Sequence, residues 1–442
     1  MASVVRAIPS RRALTSLLRG HRLPPSRLTA PIPGSNNIQT PITFTKTLCT
    51  SPAHCFRYDG IGSSSSSDKS LAEYISKQTD IALGITRKLL LTEANNSNLV
   101  CAPLSMQSVL SFFNPEDSTM DHSLAPELVA RVFADGSQIG GSHLSFAHGL
   151  WVDKSVHLEP SLEQAVGTAY KAALNRVDFK TEYELVRTRV NSWAEKETNG
   201  LIKGVLSPGS VHSLTRLLFA NVLYFKGAWD EKLYASLTKE DDFHLLNGNP
   251  VKSVPFMTSW KEQYINACDG FKVLRLLYRN GRQDERSYSM CLFLPDSKDG
   301  LPALMERMCA ESDFLERHLP HRRVRVGDFR IPKFKFSFGF EASSVLEGLG
   351  LLRGLTEKVK SRVGEPLVVP TIFHKAVIEV NEDGTKAAAV THGRMYGTAC
   401  KPRLPRKEID FVADHPFMFV IREEVTETVL FIGYVLNPLL HA

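Results

Sequence analysis

Between two β-rich runs, 373–380 and 417–435, lies a stretch of small, polar and basic residues, 381–410. A segment that long without structure of its own is usually functional or disordered. Its residue order narrows the choice. Taken alternately from Thr385, it reads Thr385, Ala387, Ala389, Thr391, Gly393, Met395 and Gly397, all small or uncharged. The intervening set, Lys386, Ala388, Val390, His392, Arg394, Tyr396 and Thr398, holds every bulky polar or charged group. Successive side chains of an extended chain point to opposite faces. The stretch therefore has the pattern of a strand with one buriable face and one wet face, against the alternative of a solvated surface loop. Gly384, at its start, supplies a hinge that can take φ > 0.

The rest of the chain must supply a sheet for such a strand. Leu71, Ile75, Ala82, Ile85 and Leu89 recur at helical spacing, and Pro103 suits the first position of a second helix carrying Met106, Val109, Leu110 and Phe113. Residues 191–202 read as an amphipathic helix closed near Gly200. Strands are expected at 144–152, 217–225 and 288–294, over the long alternation 324–338, at 373–380, and twice within 417–435. Helices dominate the first third and strands the remainder, which predicts an α+β fold in a single large domain.

The N-terminal segment is a different material. Residues 1–57 contain seven arginines, one lysine and no acidic residue, so the net charge of +6 for the whole chain leaves −2 for everything after Arg57. A nearly neutral body gives no reason to expect a nucleic-acid partner. Arg6, Arg11, Arg12, Arg19, Arg22 and Arg27 alternate with Val4, Val5, Ala13, Leu14, Leu17 and Leu18. A basic, hydroxylated, acid-poor start of this kind is the mark of an organellar transit peptide, mitochondrion over plastid; a basic tail with no address is the alternative. Residues 63–67 are all serine and read as a linker. The expected organisation is residues 1–68 as an extension and 69–442 as the folded domain.

Several function classes drop out. No apolar run approaches membrane-spanning length. The seven cysteines are scattered and form no CxxC pair, so neither a disulfide framework nor a zinc site is expected. The phosphate-loop, nucleophile-elbow, HExxH and dinucleotide motifs are all missing. His318 and His321 beside Arg322, Arg323 and Arg325 suggest an anion site at most, and a solvated strand face more simply. No enzyme, cofactor or metal is expected.

The residues themselves resemble a known family. The run Glu382, Asp383, Gly384, Thr385, Lys386, Ala387, Ala388, Ala389, Val390, Thr391 resembles the reactive-loop hinge of serpins. Phe373-His374-Lys375-Ala376, Asp414-His415-Pro416-Phe417, Phe431-Ile432-Gly433 and Asn437-Pro438 are similar to the flanking strands of that family. Asn191-Ser192-Trp193, Phe219-Ala220-Asn221, Tyr224-Phe225-Lys226-Gly227, Trp229 and Ile331-Pro332-Lys333-Phe334 match further back. The resemblance spans about 70 to 440 and is strongest to the plant, Z-like branch.

The resemblance implies one serpin-type domain: a large central mixed sheet, further sheets, about eight or nine helices and an exposed reactive-centre loop. It implies a monomeric inhibitor of serine proteases, with papain-like cysteine proteases as further targets. Such an inhibitor is cut in its loop and inserts the freed half into the central sheet. Counting from Gly384 to the family's usual cutting position places the reactive bond at Thr398–Ala399, with Arg394, Lys401, Arg403 and Arg406 near but out of register. It assigns Ser105, Asn221 and His374 to a cluster under the opening sheet, and Trp229 and Lys226 to structural roles. Other members of the family are extracellular or cytosolic, the alternative to an organelle. Ala102 and His148 depart from the family's serine and asparagine, and residues 114–128 replace a longer helical region. The shortening favours a second reading, a non-inhibitory binding or chaperone-like protein on the same fold.

Overall fold

The computed structural model describes residues 66–92, 97–113, 128, 132, 142–168, 172–281, 286–352, 371–385 and 408–440. Among these are seven α-helices: α1 (Ser66–Thr92), α2 (Pro103–Phe113), α3 (Pro160–Thr168), α4 (Phe179–Glu197), α5 (Leu301–Ala310), α6 (Phe314–His318) and α7 (Ala342–Gly348). The strands, in chain order, are β1 (Leu99–Cys101), β2 (His143–Asp153), β3 (Ala173–Val177), β4 (Leu217–Ala228), β5 (Lys239–His244), β6 (Pro250–Met257), β7 (Gln263–Cys268), β8 (Phe271–Leu277) and β9 (Tyr288–Pro295). There follow β10 (Arg323–Val324), β11 (Val326–Pro332), β12 (Phe334–Glu341), β13 (Thr371–Asn381), β14 (Gly384–Thr385), β15 (Ile409–Val412), β16 (Phe417–Glu423) and β17 (Val429–Val435). Described residues all belong to one compact unit, Ser63–Ala442, and the architecture is α+β.

Three sheets share this unit. One is six-stranded in the order β12-β13-β14-β4-β2-β3, one seven-stranded in the order β1-β17-β16-β9-β8-β7-β10, and one four-stranded in the order β15-β11-β6-β5. The middle of the six-stranded sheet is mixed, β13 running parallel to β4 and β12 antiparallel to β13. β4 is buried along nearly its whole length because both of its faces are covered. Leu218, Ala220 and Val222 pack under α4 with Val186, Val190 and Ala194, while Phe219, Leu223 and Phe225 face the main core. A strand covered on both sides reads as a nearly continuous apolar run, interrupted here by Asn221.

Aromatic contacts join the sheets. Phe334 of β12 lies 6.1 Å from Phe417 and 5.9 Å from Phe419, both on β16. Phe225 of β4 meets Tyr278 at 4.8 Å and Phe431 at 6.3 Å. Each large ring buries much apolar area, so these contacts help to hold the layers together.

Three boundaries differ from the sequence reading. α1 starts at Ser66, so Ser66 and Ser67 belong to its first turn rather than to a linker; serine and aspartate favour a helix start. α4 starts at Phe179, well before Asn191, capped by Asp178 accepting from the Thr181 amide at 3.0 Å. Its buried residues, Phe179, Val186, Val190 and Ala194, are too sparse among charges to show as a dense stripe. The alternation over 324–338 is three strands, because the chain changes sheets twice, between Val324 and Val326 and again between Pro332 and Phe334.

Candidate functional site

The six-stranded sheet contains a seam that is closed at one end and parted at the other. β13 pairs with β4 in parallel from Thr371↔Leu218 to Val377↔Tyr224. Beyond that, a turn at Glu382 and Asp383 sends the chain back into the sheet as β14. Gly384 and Thr385 then pair with both neighbours: Val380↔Thr385 and Asn381↔Gly384 on one side, Gly384↔Ala228 and Thr385↔Gly227 on the other. Gly384 sits at φ +142, and a Cβ there would lie 2.1 Å from the Gly227 carbonyl oxygen. Only glycine fits a backbone so placed and so close to its neighbour.

Thr385, the first of the alternate positions with a buriable face, is fully buried. Its hydroxyl lies 2.7 Å from the Tyr278 phenol oxygen. Tyr278 is itself buried, which pushes its phenol pKa up, and it stacks on Trp229 at 4.6 Å. Trp229 ties the turn down at two points. Its indole donates to the Asn381 carbonyl at 2.9 Å and its amide to the Asp383 carbonyl at 2.9 Å. The Leu233 amide donates to the Glu382 carbonyl at 3.0 Å. Lys232 pairs with Asp383 at 2.6 Å, the Thr238 hydroxyl donates to Glu382 at 2.6 Å, and Lys333 pairs with Glu382 at 3.0 Å. Partial burial works to raise the Glu382 carboxyl, but the Thr238 and Lys333 bonds outweigh it and hold the group below its ordinary value.

Beneath the closed half, three residues come together from elements far apart in sequence. The Asn221 amide donates to the Ser105 hydroxyl at 2.7 Å, which donates to the Ala102 carbonyl at 2.8 Å. Asn221 Oδ1 lies 3.3 Å from His374 Nδ1, and the Ala102 amide donates to His374 Nε2 at 3.1 Å. Accepting at Nε2 fixes the tautomer with its proton on Nδ1, facing Asn221. Burial pushes the His374 imidazole down to about 3, so it is neutral. Asn221 and His374 are register partners directly across the seam.

A two-stranded contact held partly open by the root of its own loop, above a polar clasp, is a sheet arranged to accept another strand. A model of the serpin (serine protease inhibitor) family matches residues 76–438. The chain belongs to the serpin family. It is 47% identical over 392 residues to Serpin-ZX of Arabidopsis thaliana, covering 83% of this chain and 99% of that protein. It is 42% identical over 401 residues to Serpin-Z4 of the same plant, covering 84% and 100%. A solved structure of Arabidopsis AtSerpin1 in a native stressed conformation matches with TM-score 0.76 at 45% identity, over 84% of this chain and 99% of that one. Uncleaved ovalbumin, at 21% identity and TM-score 0.66, covers 83% and 100% and shares the fold. Family membership brings protease inhibition, with a protease as partner.

In this serpin the sequence-based site residues divide by location. Glu382, Asp383, Gly384 and Thr385 form the turn and β14, Trp229 anchors them, and Ser105, Asn221 and His374 are hydrogen-bonded together. Lys226 is half-buried on β4 opposite His143. Lys386, Ala387, Ala388, Ala389, Val390 and Thr391 lie outside the described residues, as do Thr398, Ala399 and the shortened segment up to residue 127. Sequence reading missed Tyr278, Lys232 and Thr238, and gave Lys333 no role. All four contact the turn or β14 from remote strands and loops, and no local spacing advertises such contacts. Arg323, placed in the sequence among a run of cations, is ion-paired with Glu231 and lies over the Tyr264 ring at 5.0 Å.

Proposed function

We propose that this serpin is a suicide substrate of a serine endopeptidase and, by the same route, of papain-like cysteine proteases. Cleavage at Thr398–Ala399 frees the N-terminal half of the loop to enter the six-stranded sheet between β13 and β4, carrying the acyl-linked protease with it. The observation that carries this reading is β14, which already occupies the upper end of that gap with Thr385 buried. If the strand continues in register, Ala387, Ala389 and Thr391 follow Thr385 to the buried face, and Lys386 takes the opposite one. Small side chains there lose little rotamer freedom and bury no charge.

The test is to nick the loop with a non-specific protease and compare melting temperatures. A large rise is expected; incubation with a trapped serine protease should separately give a covalent adduct on denaturing gels and a released fragment beginning at Ala399. An unchanged melting temperature sinks the trapping mechanism and leaves the second reading, a non-inhibitory binding protein favoured by the shortened segment after Phe113. The inhibitor acts as a monomer, since the sheet receives its own loop; light scattering tests this. The arginine-rich extension directs it to an organelle, mitochondrion before plastid, and a fluorescent fusion of residues 1–68 reads that out.

A further inference from the structure

On the strand next to the seam stands a residue that the trapping mechanism does not use. His148 of β2 is the register partner of Asn221, which is the register partner of His374, so His148, Asn221 and His374 form one row across three adjacent strands. His148 is 3% exposed, yet neither of its ring nitrogens has a hydrogen-bond partner. Its ring is packed against Phe146, with centroids 3.9 Å apart, and against Phe219 at 5.4 Å. A buried polar ring without a partner costs free energy in the closed sheet and recovers it when water arrives.

The charges around it point one way. His374, from β13, is the titratable group whose charge reaches it, while Asn221 of β4 and Ser105 of α2 face the row as neutral groups. Nothing in that set stabilises an imidazolium, and a proton on either ring disfavours one on the other. Burial, and after it His374, pushes His148 down to about 3.

We propose that His148 makes opening of the seam acid-sensitive, so that a proton taken up by its imidazole favours the parted sheet over the closed one. The proposal rests on the seam being the place where the loop enters. Closed, the row admits no proton; parted, His148 regains water and an ordinary affinity for one. Closure is therefore at full strength above about pH 6.5 and weakens as pH falls from there towards the buried value. An acidic compartment would then speed insertion of the loop, whether cut or intact.

Amide hydrogen exchange of the intact chain reads the opening without any protease. Exchange at residues 220–223 and 373–376, corrected for intrinsic rates, gives the opening equilibrium at about pH 7.5 and about pH 5.5. A single imidazole that titrates ordinarily only in the open state contributes about tenfold over that interval. The wild type is expected to gain about tenfold more opening on acidification than His148→Asn, with His374 accounting for the remainder in both. His148→Gln serves as a second neutral variant in case the shorter side chain leaves a hole that impairs folding. An equal rise in wild type and variants overturns the proposal. Failure of the inhibitor reading is registered separately, as a nicked chain that melts no higher.

Discussion

Along 371–377, β13 lies directly against β4; at Val380 and Asn381 the same strand is held off it by two residues of β14. The closed half is clasped from below by Ser105, Asn221 and His374. The parted half is filled from within and tied at its rim by Trp229, Lys232, Thr238 and Lys333 to the turn at Glu382 and Asp383. Both halves have a seven-residue-or-shorter stretch of backbone to satisfy, and each does so with a different partner. The seam is therefore a zipper halted at one point, and each variant below moves that point.

The largest effect is expected at the clasp. Asn221→Ala removes the amide that bridges Ser105 and His374 at the centre of the sheet, where nothing is exposed. His374 loses its Nδ1 partner and a small cavity forms, together worth about 3 kcal/mol. The urea midpoint of the intact chain should fall accordingly, and the chain should pass to a heat-resistant form faster. An unchanged midpoint would mean that the closed half is held by backbone pairing alone.

Gly384→Ala strikes the opposite half. The added Cβ meets the Gly227 carbonyl, the Ala228 Cα at 2.7 Å and the Trp229 nitrogen at 2.9 Å, all of them backbone atoms that cannot swing aside. β14 must leave the gap, which relieves the clash and the strain at positive φ and limits the loss to what its short pairing and the Thr385 contact with Tyr278 contribute, about 2 kcal/mol. Exchange protection at Thr385 should vanish while protection at residues 371–377 persists. If both halves lose protection together, the seam is one cooperative unit and the comparison collapses.

These two sites were unequally legible in the sequence. Gly384 and Thr385 lie within one alternating stretch, where parity and a hinge glycine are visible locally. Asn221 and His374 required a family resemblance, because sequence pattern does not report which strands are neighbours. The rim contacts were not legible at all: Tyr278, Lys232 and Thr238 sit on ordinary-looking segments, and only the fold brings them to the turn. The same holds for the start of α4, where a few buried residues among many charges leave the periodicity too thin to follow. His148 was visible as a departure from the family, but its missing partners are a property of the packed sheet.

A smaller effect is expected at the rim. Glu382→Ala removes the acceptor shared by Thr238 and Lys333, a charge-assisted pair whose carboxylate side is 12% exposed. The loss should be about 1–2 kcal/mol. Because the Glu382 carboxyl is held below its ordinary value, its contribution is present above about pH 4.3 and is lost as pH falls through the folded value. The wild type minus variant difference in midpoint should therefore shrink on acidification. That direction matches the one proposed for His148, but the two are separable: the histidine acts from about pH 6.5 downward, the carboxylate only below about pH 4.3.

The smallest expected effect is also the most local. Tyr278→Phe keeps the ring that stacks on Trp229 and removes only the oxygen that meets the Thr385 hydroxyl. A buried neutral hydrogen bond is worth about 1 kcal/mol, and leaving the Thr385 hydroxyl without Tyr278 adds little if that hydroxyl turns to a backbone carbonyl. Global unfolding should shift by no more than that. Exchange at Gly384 and Thr385 should rise about fivefold, since β14 is held by few other contacts and its opening is local rather than global. Cleavage of the loop should become easier for the same reason, and the rise in melting temperature after nicking should stay as large as in the wild type, because in the filled sheet Thr385 is pinned by strand pairing on both sides. A variant that exchanges no faster at Thr385 would place the hold on β14 entirely in the Glu382 and Asp383 turn.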